Sequence, residues 1–174
     1  MTTREFVKSN GIGIEMRGFA AARREFLGLI RKRYYGALAT ATPAGRPEVA
    51  PLRYALTDEF ELVMGTLRTS RKYTNLQRNP EVAFVVWDDD FSIQIEGRFD
   101  EPVGTDQERL AHFFASEFPK EALIRADRPQ HVYFRITPTW ARYTDLSDDP
   151  PRVLTLDLAS AGETRSSWPV IQPD

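Results

Sequence analysis

Between Gly65 and Pro80 the chain reads GTLRTSRKYTNLQRNP, and here the side chains able to do chemistry crowd together. Arg68, Arg71 and Lys72 stand around the hydroxyls of Thr69 and Ser70. Guanidinium and ammonium groups beside hydroxyls form a donor set for anionic oxygen, phosphate above all. Placement adds to composition: a run of β-formers ends just before this segment and a helical pattern begins within it. Arg71 and Lys72 then fall in a first helical turn, where the peptide dipole disfavours cations by about 0.3–1 kcal/mol each. A phosphate reverses the sign of that effect, because it meets free amides, hydroxyls and cations together. Breaches of local rules tend to mark functional positions, and the segment reads as an anion site. A solvated basic helix end has the same composition, and spacing alone does not separate the two.

Other chemistries find less support. The chain has no cysteine, which removes thiol catalysis, disulfides and thiolate metal sites, and accords with a reducing compartment. Its two histidines, His112 and His131, lack a serine or carboxylate partner at motif spacing and are read as structural or exposed. No metal site is expected: soft ligands are too few, and Asp88, Asp89 and Asp90 form a solvated turn without the further oxygen ligands that calcium or magnesium requires. Gly11-Ile-Gly13 neither follows a strand nor continues as a dinucleotide fingerprint. Phe113, Phe114 and Phe118, at helical spacing, are assigned to packing.

The elements that must position the anion site follow from periodicity. At 174 residues, with 41% hydrophobic and 28% charged residues, the chain fits one soluble domain, expected over residues 1–158 with a polar tail over 159–174. A net charge of −2 provides no global field for nucleic acid or an anionic membrane. Neither a leader nor a membrane span is recognisable, so a cytoplasmic location is expected.

Phe19 to Arg33 forms an amphipathic helix with Phe26, Leu29 and Ile30 on its apolar side. YGALATA, EVAPLRYAL and FELVMG are short strands joined by TPAGRP and TDE, and VAFVVW and FSIQIEGRF follow the helical TSRKYTNLQRNP. Gly97 is a predicted bulge. Thr105-Asp-Gln-Glu108 matches a capping box, opening a helix that runs through Leu110, Phe114 and Phe118. HVYFRIT is a strand ending at Pro138, WARYTDL resumes the chain, and RVLTLDL sets Leu154, Leu156 and Leu158 on one face. These six or seven antiparallel strands punctuated by three helices suit a mainly β (α+β) barrel, not a βαβ fold.

From Gly36 to Tyr143 the chain resembles the pyridoxamine-phosphate-oxidase-like FMN-binding split-barrel family. GALATATPAGRPEVAPLRY is similar to its opening hairpin, GTLRTSRK to its strand-end phosphate motif, NLQRNPEVAFVVW to its helix, Asn-Pro and next strand, and IQIEGRF to the strand after. The resemblance implies an antiparallel split β-barrel of six to seven strands, FMN as cofactor, and a homodimer with the cofactor at the subunit interface. It implies that Arg53, Thr66, Arg71 and Lys72 contact the flavin phosphate and ribityl chain, with Ser70 adding a hydroxyl. It further implies that the backbone at Pro51 and Gly65 approaches the ring, that Ser92 meets it, and that Trp140 reaches in from the partner subunit. The structural alternatives are a strand-face charge for Arg53, an exposed residue for Ser92 and a packing anchor for Trp140.

Two positions depart from the family pattern. Where true pyridoxamine phosphate oxidases carry a substrate-holding Arg-Leu-His-Asp-Arg stretch, this chain reads WARYTDLSDDPPRVL, and the family's second-strand arginine is replaced by Glu48. The implied activity is therefore flavin-dependent oxidoreduction of a small organic molecule other than a B6 vitamer. Related split barrels imply two further readings: an F420-dependent reductase, with Arg68 adding a cation, or a non-catalytic flavin- or heme-binding stress-type protein.

Overall fold

Short β-forming runs broken by turns produce seven strands among the described residues, which in this computed structural model are 16–147 and 149–159. The reading on Gly11 and Gly13 and all but the first residue of the tail lie outside them. In chain order the elements are α1 (Met16–Ile30), β1 (Tyr35–Ala41), β2 (Pro47–Leu56), β3 (Leu62–Leu67), α2 (Arg71–Leu76), β4 (Glu81–Trp87), β5 (Phe91–Asp100), α3 (Thr105–Glu117), α4 (Pro119–Ala126), β6 (His131–Asp145) and β7 (Arg152–Asp157). The sheet order is β3-β2-β1-β4-β5-β6-β7, and antiparallel pairing of β3 with β6 closes the first six strands into a barrel with β7 added outside. Among the described residues, no helix is long and apolar enough to cross a membrane.

Period-two alternation decides what lies inside. Leu38, Tyr54, Leu62, Met64, Phe84, Ile93, Ile95 and Phe134 fill the barrel and are almost fully buried. Helix α1 joins this core through Phe26 and Ile30, and the Tyr54 hydroxyl donates to the Ile30 carbonyl at 2.8 Å. A second core lies on the opposite face of β2 and β3, where Ala55 and Val63 meet Leu110, Phe114 and Phe118. Each buried large apolar side chain contributes about 1.5–3 kcal/mol, enough to hold α3 against the barrel.

Three expectations are corrected. Strand β6 does not end at Pro138: it runs to Asp145, shifting register where Gly97 pairs with Pro138 and Glu96 with Trp140. A bulge tolerates proline because the ladder needs no amide there, and Gly97 permits the approach, since a Cβ would lie 2.7 Å from the Thr137 carbonyl oxygen. The capping box does not form, because Thr105 is already helical and Gly104, at φ +62°, is the cap without a side-chain bond. The following helix does not run through Phe118, which leaves the helical region ahead of Pro119. Proline disfavours an α conformation in the residue before it and suits a helix start, so α4 begins anew and the described helices number four.

Candidate cofactor site

Thr66 is buried near the end of β3, and its hydroxyl lies 3.0 Å from that of Ser70. Ser70 caps α2, its Oγ accepting from the Tyr73 amide at 3.3 Å, so the two hydroxyls are fixed side by side. Arg71 and Lys72 follow at once. The Arg71 side chain, 83% exposed, forms an ion pair with Glu48 of β2, whose side chain is only 17% exposed. The second Glu48 oxygen accepts from Asn75 Nδ2 at 3.0 Å, and the same amide donates to Thr40 Oγ1 at 3.1 Å. Asn75 and Thr40 are both buried. Lys72 makes no ion pair with any described residue. Two paired hydroxyls thus lie at the β3–α2 junction, followed directly by Arg71, which pairs with a carboxylate, and by Lys72.

Arg53 has its partners outside that cluster. It projects from β2 opposite Tyr35, its guanidinium carbon 4.6 Å from the Tyr35 ring centroid and 4.8 Å from that of Phe118. It donates to the Tyr35 hydroxyl at 2.8 Å and pairs with Glu121 of α4 at 2.8 Å. Pro51, exposed, lies two residues back on the same strand face. Gly65 is buried beneath His131, where an added Cβ would lie 2.6 Å from His131 Cε1 and 3.1 Å from an Arg125 nitrogen. Burial, then the charges of Arg125 and Arg128, push the His131 pKa down to about 4, so its ring is neutral at neutral pH. Arg68 is engaged elsewhere, with Glu101 and the Tyr73 hydroxyl.

Ser92 and Trp140 lie on β5 and β6. Ser92 pairs with Trp87 and Thr144, and Trp140 with Glu96. Trp140 joins Ala37, Ala39, Val49, Ala83 and Val85 in lining a depression of about 220 Å³ on the barrel's outer surface. Gln94 and Glu96 also line it, and Val49, 72% exposed, with Trp87, 56% exposed on the same strand face as Ala83 and Val85, leaves large apolar side chains open to solvent there. One chain therefore sets Thr66, Ser70, Arg71 and Lys72 in succession at the β3–α2 junction, gives Arg53 the partners Tyr35, Phe118 and Glu121, and holds Ser92 and Trp140 four positions apart on the β5–β6 ladder. A larger cleft of about 880 Å³, lined by Arg33, Tyr54, Glu61, Phe113 and Arg135 among others, contains none of the predicted residues.

Asn75 and Thr40 are the site residues that sequence reasoning missed. The usable signal was the hairpin: a turn at TPAGRP sets Thr40 opposite Glu48, which brings the carboxylate to the strand end facing α2.

No curated protein matches the chain in sequence. Among solved structures, a heme binding protein from Mycobacterium smegmatis is similar in fold, with TM-score 0.68 at 16% identity over 79% of this chain; the match spans 58% of that protein. A pyridoxamine 5'-phosphate oxidase-related, FMN binding protein from Nostoc punctiforme aligns with TM-score 0.57 and 16% identity over 84% of this chain and 92% of its own. An FAD-binding protein from Mesorhizobium loti aligns with TM-score 0.57 and 25% identity over 69% and 90% of the two chains. The family profile described as pyridoxamine 5'-phosphate oxidase matches residues 22–145, well over half the chain. With the closed antiparallel barrel in place, that match assigns the chain to the pyridoxamine 5'-phosphate oxidase family.

Proposed function

We propose that this chain is a cytoplasmic flavoprotein, with FMN as its first-choice cofactor, acting as an oxidoreductase on a small organic molecule. The observation that carries the reading is the hydroxyl pair of Thr66 and Ser70 at one strand end of a family barrel, with Arg71 and Lys72 opening the helix that Ser70 caps. Paired hydroxyls, a guanidinium and an ammonium with no ion pair among the described residues fit the oxygens of a phosphate ester. A bound flavin would supply hydride transfer, and the chain's part is to hold and orient it. The FMN and FAD binding of the Nostoc and Mesorhizobium proteins accords with this choice.

The proposal includes a homodimer with cofactor at the interface. The apolar outer face of Ala37, Ala39, Val49, Ala83, Val85 and Trp140 supports it, because two-fold pairing would cover that face and bring one subunit's Trp140 toward the other's site. F420 is the weaker alternative, since Arg68, the extra cation it would want, faces Glu101 and Tyr73. A heme- or flavin-holding role without turnover is the second reading. It is favoured by WARYTDLSDDPPRVL standing where the B6-substrate stretch would be and by the fold shared with the mycobacterial heme binding protein.

The test is the visible absorption spectrum of the protein purified without denaturant, with any released chromophore identified by mass. FMN is expected; F420 or heme would move the function to its alternatives. The double variant Arg71→Glu, Lys72→Glu should lose the chromophore while keeping its circular dichroism. Unchanged cofactor content in that variant would remove the phosphate assignment.

A further inference from the structure

We propose that Glu48 is a specificity-determining residue of the same site, an internal counter-anion that disfavours a phosphomonoester dianion relative to the same ligand without its phosphate. The identity of the ligand rests on the flavin reading; the action of Glu48 on anions does not.

The two partners of the Arg71–Glu48 pair are held very differently. Arg71 projects into solvent and can turn toward an incoming ligand, whereas the mostly buried Glu48 is anchored by the Asn75 amide. That amide is itself buried and shared with Thr40, so displacing the carboxylate would strip a partner from a group with little access to water. The mobile member can leave, but the charge that opposes it stays. A dianionic phosphate that takes Arg71 must therefore sit beside a fixed carboxylate that has just lost its counter-ion, an arrangement penalised where water is scarce. A ligand lacking the phosphate leaves the pair intact. Lys72, with no ion pair among the described residues, is the cation left to favour a phosphate unopposed.

The experiment compares wild type with Glu48→Gln, which keeps an oxygen to accept from Asn75 and removes only the charge. Dissociation constants for FMN and riboflavin are measured by flavin fluorescence at low ionic strength. FMN should bind about tenfold tighter to Glu48→Gln, with riboflavin changed less than about twofold. FMN binding that is unchanged or weaker would show that Glu48 merely positions Arg71, overturning the inference while leaving the flavin reading intact. If neither protein binds either flavin, the flavin reading falls and inorganic phosphate decides the role of Glu48. A larger rise in melting temperature per added phosphate in Glu48→Gln then supports the inference, and an equal rise overturns it. Glu48→Ala, run in parallel, supplies the same comparison should the glutamine variant fail to fold.

Discussion

Arg53 and Arg71 both resemble flavin ligands in sequence, yet the fold treats them in opposite ways. Arg71 sits at the β3–α2 junction, 83% exposed, with one carboxylate partner and room to move. Arg53, with a side chain 20% exposed, is clasped between two aromatic rings, a tyrosine hydroxyl and Glu121. The difference comes from what covers each strand face. Helix α3 packs its apolar side over β2 and β3, and the turn into α4 carries Phe118 and Glu121 onto Arg53, whereas α2 is one short helix that leaves its own first residue in solvent. An arginine under a helical cover acts first as packing and charge compensation; one at a strand end stays available to a ligand.

The largest effect expected from breaking this contrast is at the cover itself. Phe114→Ala removes a fully buried ring from the second core and should cost about 3–4 kcal/mol in urea unfolding. A loss below about 1 kcal/mol would mean that α3 is a loosely held lid. Arg53→Ala should cost about 2 kcal/mol, since it forfeits stacking on Tyr35 and Phe118 and leaves Glu121 without its partner. If Arg53→Ala instead left stability untouched and abolished flavin binding, the two arginines would be alike after all.

His131, packed between Gly65 and Tyr133, gives the covered region a pH dependence. Its folded pKa, about 4, lies below the ordinary 6.5, so the unfolded chain takes up the proton more readily. Stability is therefore retained above about pH 6.5 and lost as pH falls toward 4. Between pH 7 and pH 5 the wild type should lose about 1 kcal/mol more than His131→Gln, a figure reduced for partial solvent access. Equal losses in the two proteins would place the ring outside the packed region. The smallest effect is that of Arg71→Ala, expected to stay below about 1 kcal/mol by the same unfolding assay, because Arg71 itself is exposed although its loss leaves the mostly buried Glu48 without a counter-ion. A larger cost would make Arg71 structural and collapse the contrast from the other side.

Much of this arrangement was readable from residue order alone, and the reason is locality. Alternation along FSIQIEGRF and HVYFRIT assigns faces without reference to any partner strand, and Gly97 marks the bulge because a side chain would not fit there. The donor cluster is contiguous from Thr66 to Lys72, so no long-range pairing was needed to find it. The missed elements have equally physical causes. Phe118 and Pro119 divide α3 from α4 within one continuous apolar pattern, and Pro138 passes through β6 only because the bulge relieves it of a ladder amide.

By itself, then, the sequence determined the β-rich character, the turns, the amphipathic α1 and the basic segment, all written in neighbours within a few residues of one another. Tertiary structure decided the closure of β3 onto β6, the lodging of Arg53 beneath α4, and the meeting of Glu48, Asn75 and Thr40 behind Arg71. Those contacts join residues far apart in the chain. Which distant strands and helices meet is chosen by the burial of whole faces, and no local propensity records that choice.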